Sequence, residues 1–125
     1  MITEALQELN ITEWVLRGTP TTEEEFNQMF RKVTGSDANG TAIESSDPAD
    51  FGVTWAQVSA KATELENAQP LKDLRAKRDS LLAETDWWAS SDLTMTQAQT
   101  DYRQALRDIT DTYQSLDTVV WPTKP

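Results

Sequence analysis

The apolar residues of this sequence recur at intervals of three and four in short runs, a spacing that commits most of the chain to amphipathic helices. Ile2, Ala5, Leu6 and Leu9 form one face of a first short helix, and Asn10 punctuates it. Thr22 followed by Glu25 reads as a capping box, with Glu23, Glu24 and Glu25 where the helix dipole favours negative charge. Phe26, Met29, Phe30 and Val33 carry that second helix onward, Arg31 and Lys32 fall in its last turn, and Gly35 stops it. A third helix, capped at or near Thr54, carries Trp55, Val58, Ala62 and Leu65 as far as Asn67. Beyond Pro70, Leu71, Leu74, Arg78, Leu81 and Leu82 share a face. The last stripe is Ala98, Tyr102, Ala105, Leu106 and Ile109, capped by Thr94 with Gln97 or by Thr96 with Gln99.

Few segments read as extended. Ile11 to Arg17 mixes β-branched and aromatic residues and ends at Gly18-Thr19-Pro20. Thr41 to Glu44 follows the turn cluster Ser36-Asp37-Ala38-Asn39-Gly40. The predicted fold is therefore mostly α, with about five helices in small helical domains. It has a C-terminal helical hairpin and at most a short two-stranded β element, joining residues 13–17 to 41–44. Pro70 is expected to break the chain into an acidic N-terminal helical (α+β) lobe, residues 1–69, and a helical hairpin with a C-terminal Trp-Pro tail, residues 70–125. The hairpin is expected to bury Leu71, Leu74, Leu81, Leu82, Tyr102, Leu106 and Ile109, with Val119-Val120-Trp121 folded back across it. Phe26 to Thr34 and Tyr102 to Thr110 also share an order of aromatic, Gln, apolar and Arg residues, which suits either a faint internal repeat or two helices converging on one pattern.

Charge and missing residue types narrow the chemistry. Among 125 residues, 21 acids stand against 11 bases, a net charge of −10. Residues 1–69 hold 12 acids and 4 bases, and residues 70–125 hold 9 and 7, so the negative field belongs mainly to the first lobe. Nucleic acid and membrane surfaces are repelled by such a field and are not expected partners. With no cysteine and no histidine, the chain can form no disulfide, no thiolate or imidazole metal site, no Cys nucleophile and no His-based triad. No cofactor and no metal is expected. Asp37, Asn39 and Glu44 around Gly40 miss the alternating ligand spacing of a calcium loop and read as a turn. No phosphate loop, GxSxG elbow or Ser-x-x-Lys motif occurs, no apolar run is long enough to span a bilayer, and Glu4 and Glu8 argue against a secretory leader. Catalysis is not expected.

The C-terminal half carries a more specific pattern. Leu74-Arg75-x-x-Arg78-Asp79-x-Leu81-Leu82-x-x-Thr85-Asp86-Trp87 is followed by Tyr102-Arg103-Gln104-Ala105-Leu106-Arg107-Asp108, and the chain closes on Val119-Val120-Trp121-Pro122-Thr123-Lys124-Pro125. In this order and spacing, residues from about 71 to 125 resemble the phage tail assembly chaperone family. The chain departs from that family's pattern at Thr110, where proline is common, and at Gln99 and Thr100, where an aromatic is common. The resemblance implies a non-catalytic phage protein that binds a tail or tail-fibre polypeptide and assists its folding or assembly. It equally admits a structural virion component of the tail or fibre attachment region. The place of action it implies is the host cytoplasm during assembly, or the tail of the virion.

Five tryptophans in so short a chain supply candidate contacts, because indole covers a large area and keeps one polar handle. Trp55 and Trp87 are expected to fill the core. Adjacent Trp87 and Trp88 cannot face the same way, and Trp88 with Trp121 is expected to touch a partner. The candidate partner-binding set is Trp88, Trp121, Trp14, Tyr102, Arg103 and Arg107. Arg75, Lys77, Arg78, Arg103 and Arg107 form either a basic patch or, because Asp73, Asp79, Asp86, Asp101 and Asp108 interleave with them, a neutral solvated face. Association with a second copy of the chain stays open.

Overall fold

A computed structural model describes all 125 residues, which group into two compact units, Met1–Asn67 and Ala68–Pro125. The first unit begins with helix α1 (Ile2–Glu8), which ends where Asn10 turns left-handed at φ 58°. There the Ile11 N–H reaches the Leu6 carbonyl and the Asn10 N–H reaches that of Gln7, both at 3.0 Å, the double bond of a Schellman cap. Leu6 and Ile11 both pack into the core beneath. Strand β1 (Trp14–Leu16) follows. Helix α2 (Glu23–Met29) starts at Thr22, whose hydroxyl accepts from the Glu25 N–H at 3.1 Å, with three acids in the first turn. That start is the one its sequence predicts.

Its end is not. The helix expected to run through Val33 stops at Met29, and Phe30 to Ser36 is strand β2. After the turn, β3 (Ala42–Ser45) pairs antiparallel with β2, and β1 pairs with its other side, giving a three-stranded sheet in the order β1-β2-β3. The mostly α fold with at most two strands is thereby corrected. The chain is 54% helical and carries a full antiparallel sheet, a mixed α/β architecture. The expected pairing of residues 13–17 with 41–44 is replaced by pairing of each with β2, although Arg17 still bonds Glu44 at 2.7 Å. That bond holds the Glu44 carboxyl below its usual range and raises Arg17 above its own.

The physical reason is non-local. Val33 and Thr34 are β-branched and weak helix formers, and a helix ending at Gly35 would gain no partner along Phe30–Ser36. As a strand, that segment is hydrogen-bonded on both sides. The Asp37–Gly40 turn makes the second pairing local: the Asp37 carboxylate accepts from the N–H groups of Asn39 and Thr41, and Gly40 adopts φ 79°. The faint repeat also parts here, since Phe30–Thr34 is strand whereas Leu106 lies in a helix.

Phe26, Phe30 and Phe51 form the centre of this unit, with ring centroids 4.7 to 5.9 Å apart. All three are at most 1% exposed, and Trp14 and Trp55 pack partly buried around them.

A 31-residue helix, α3 (Trp55–Thr85), starts in the first unit and ends in the second. The helical backbone runs unbroken through Pro70, within three residues of where the two compact units divide. Proline removes one N–H, the donor to the Glu66 carbonyl, but Glu66 and Pro70 are exposed, so water can satisfy that carbonyl. The Gln69 side chain donates to the Asp73 carboxylate one turn further on, at 2.6 Å. The second unit adds a 3-10 turn (Asp86–Ala89), helix α4 (Gln97–Arg107) and a single further turn, α5 (Ile109–Thr112). Thr96 and Gln99 make the reciprocal capping box at α4. No helix is long and apolar enough to cross a membrane.

Two substitutions test the backbone of the first unit. Glu13 sits at φ 55° with its side chain exposed, a left-handed conformation that costs a non-glycine residue about 1–2 kcal/mol. Glu13→Asn, which tolerates that region better, is expected to raise the urea midpoint at unchanged slope by about 0.5 kcal/mol of stability. Gly18→Ala is expected to lose about 1–3 kcal/mol. Gly18 lies at φ 136°, and an added Cβ would come within 2.8 Å of the Met29 sulfur.

Candidate partner-binding site

The second unit has its own core at the end of α3. Leu74, Trp88, Tyr102, Leu106 and Ile109 are buried, while Leu81, Leu82, Met95 and Trp121 pack half-buried around Trp88, Tyr102 and Leu106. The Trp88 and Tyr102 rings lie 6.1 Å apart at 55°, and the Lys124 ammonium stands 5.9 Å above the Trp88 ring. The C-terminal Trp121 thus does fold back against this cluster.

Arg103 ties the cluster together. Its guanidinium donates to the Leu82 carbonyl at 3.0 Å, to the Thr85 hydroxyl at 2.7 Å and to the Asp86 carboxylate at 2.9 Å. Arg103 is 7% exposed and Thr85 fully buried, and the Thr85 hydroxyl itself donates to the Leu82 carbonyl. The first two acceptors matter most. A buried hydroxyl or carbonyl stripped of its donor costs about 1–3 kcal/mol, whereas an ion pair to a carboxylate that is 66% exposed contributes at most about 1 kcal/mol. The buried Arg103 Nε has no partner, so some desolvation cost is carried by the fold.

The candidate residues fall in three places. Trp88, Tyr102 and Trp121 come together in the aromatic cluster, and Arg103 braces it. Arg107 is exposed in the last turn of α4, where it bonds only Gln104 at 3.3 Å. Trp14 belongs to the first unit, stacked on Phe30 with its indole N–H donating to the Ile11 carbonyl. The tryptophan pair splits in the sense opposite to expectation: Trp88 is 6% exposed and Trp87 is 61% exposed, meeting Trp88 edge to face. A signal for this existed in the spacing. Leu81, Thr85 and Trp88 stand at i, i+4 and i+7, continuing the inward face of α3 into the 3-10 turn, and Trp87 falls off that face. Arg103 likewise stands three residues before Leu106, beside the apolar stripe of α4.

Of the five basic residues, Arg78 pairs with Asp79 and Arg103 with Asp86. A shallow hollow lined by Pro70, Asp73, Ser115, Leu116 and Asp117 presents two carboxylates and no cation.

Residues 71–125 match the family model described as phage tail assembly chaperone protein. The resemblance carried by the C-terminal motifs is thereby shown, over slightly less than half of the chain, and it indicates a role in phage tail assembly. Neither a curated protein nor a solved structure matches the chain.

Arg103→Ala is expected to cost about 2–4 kcal/mol in chemical denaturation, and Asp86→Asn less than about 1 kcal/mol. Burial, reinforced by the Glu84 charge, raises the Tyr102 phenol above its usual range. A raised folded-state pKa means that stability is intact below the unfolded value and falls as pH rises past it. Tyr102→Phe should therefore flatten the loss of stability above about pH 10 while changing little at neutral pH.

Proposed function

We propose that this protein assists the building of a phage tail by holding a tail or tail-fibre polypeptide in the host cytoplasm, without catalysing a covalent step. The observation that carries the reading is the exposed Trp87, standing on a cluster built from the family-matched residues. A large rigid indole in water is the kind of side chain that anchors a protein interface, since it covers much area for little conformational entropy. Trp88 meets it edge to face within the cluster that holds Tyr102 and Trp121, Arg103 is a positioning residue, Lys124 stands over the Trp88 ring, and Arg107, exposed in the last turn of α4, is a further candidate contact. Trp14 is left to the core of the first unit. The client offers apolar or strand-edge surface that would otherwise aggregate, and the net charge of −10 keeps the pair dispersed until release.

Co-expression of the full chain with the tail polypeptides encoded beside it tests the reading. Solubility of one of them should depend on the wild-type chain and fall with Trp87→Ala, whose affinity should drop by about tenfold or more at unchanged melting temperature. Trp88→Ala should instead unfold the second unit, because a buried tryptophan cut to alanine loses about 3–5 kcal/mol. If purified virions retain many copies, the chain is a resident tail component instead.

A further inference from the structure

The β2–β3 hairpin has a face and an edge that nothing in the chain covers. Every residue from Thr34 to Glu44 is exposed, and β3 is the outer strand, paired only with β2. The Thr41 carbonyl accepts from the Asp37 N–H at 2.9 Å and the Ile43 carbonyl from the Thr34 hydroxyl at 3.4 Å, so both face β2. Strand alternation then turns the N–H and C=O of Ala42 and Glu44 outward, two donors and two acceptors in a row.

Protein edges are commonly blocked by lysine, proline, a bulge in the outer strand or an unpaired charge. This edge has none of these. Ala42-Ile43-Glu44-Ser45 contains no lysine or proline, and the irregularity between Val33 and Gly35 lies in β2, on the inner side. The only charge, Glu44, is drawn to Arg17 at 2.7 Å. Ile43 is left 47% exposed beside the open backbone.

We propose that β3 docks an extended segment of a different polypeptide, neutral or basic in composition, as a fourth strand hydrogen-bonded to Ala42 and Glu44. Charge selects this occupant over a second copy. The first unit carries 12 acids and 4 bases, and Asp37, Asp47 and Asp50 are held at the two ends of β3 by hydrogen bonds to Thr41, Ala49 and Ser45. Two such edges brought together repel, whereas a strand bearing lysine or arginine is attracted. The inference rests on the client-holding reading above and names a second contact for it, independent of Trp87.

The test uses the full chain and overlapping peptides of about 15 residues tiled across the tail and tail-fibre polypeptides, long enough for one strand. Binding is read by fluorescence anisotropy and by amide hydrogen exchange. Expected is binding that favours basic over acidic segments, protects the Ala42 and Glu44 amides, and weakens about tenfold in both Ala42→Pro and Ala42→Lys. Proline removes an outward N–H without touching the β2–β3 ladder, and lysine keeps the backbone intact should the proline variant misfold. Equal affinity in both variants, protection elsewhere, absence of any binding peptide, or a dimer that Ala42→Lys dissolves would each overturn the proposal. If co-expression still shows a client that depends on the chain, only the β3 contact has failed; if no client depends on it, the broader reading has failed.

Discussion

The Arg103 guanidinium takes a hydroxyl, a carbonyl and a carboxylate from one stretch of five residues, Leu82 to Asp86, and thereby fastens the end of α3 to α4. A buried charge is costly unless its geometry is satisfied, and replacing one member strands the others. The shape of the second unit depends on this bond set. It fixes where the helix yields to the 3-10 turn, so Trp88 is carried inward over Tyr102 and Trp87 outward into water. It also gives the separate motifs of the C-terminal half one physical meaning. Leu82, Thr85 and Asp86 come from the first, Arg103 from the second, and Trp121 from the last packs on the cluster they enclose. Leu82, Thr85, Asp86, Arg103 and Trp121 are therefore bracing, while Arg75, Trp87 and Arg107 face outward.

Local features of the fold were readable from the residues, and non-local ones were not. The Thr22 cap, the stop at Asn10 and the Asp37–Gly40 turn each depend on groups within a few positions, so spacing alone identified them, while for α4 it left Thr94 and Thr96 as alternatives. Phe30 and Val33 misled because their spacing from Phe26 fits a helix and, taken alone, is silent about strand. What decided the matter was the presence of β1 and β3 on either side of β2, which local periodicity cannot contain. Pro70 misled in the other direction. An interior proline costs a helix about 3 kcal/mol, and that cost is lowest where water can take up the freed carbonyl, as it can here with both residues in solvent.

In the candidate site the aromatic cluster was foreseeable as a set and its orientation was not. Tyr102, Leu106 and Ile109 lie inward as their stripe requires. Trp87 and Trp88 are the same residue type, so composition does not separate them, whereas the face of α3 does. Arg103 was read by its charge, as one member of a basic group, although a guanidinium one residue from an inward tyrosine is placed to donate to a helix end.

Of the five indoles, Trp88 is buried, Trp14, Trp55 and Trp121 are half-covered, and Trp87 stands in solvent. The chain therefore carries its own optical probe. Emission from Trp87 lies at longer wavelength than that of its covered neighbours, and a neutral collisional quencher such as acrylamide reaches it first. Any partner that seats on this ring shifts its light to the blue and shields it, with no label attached.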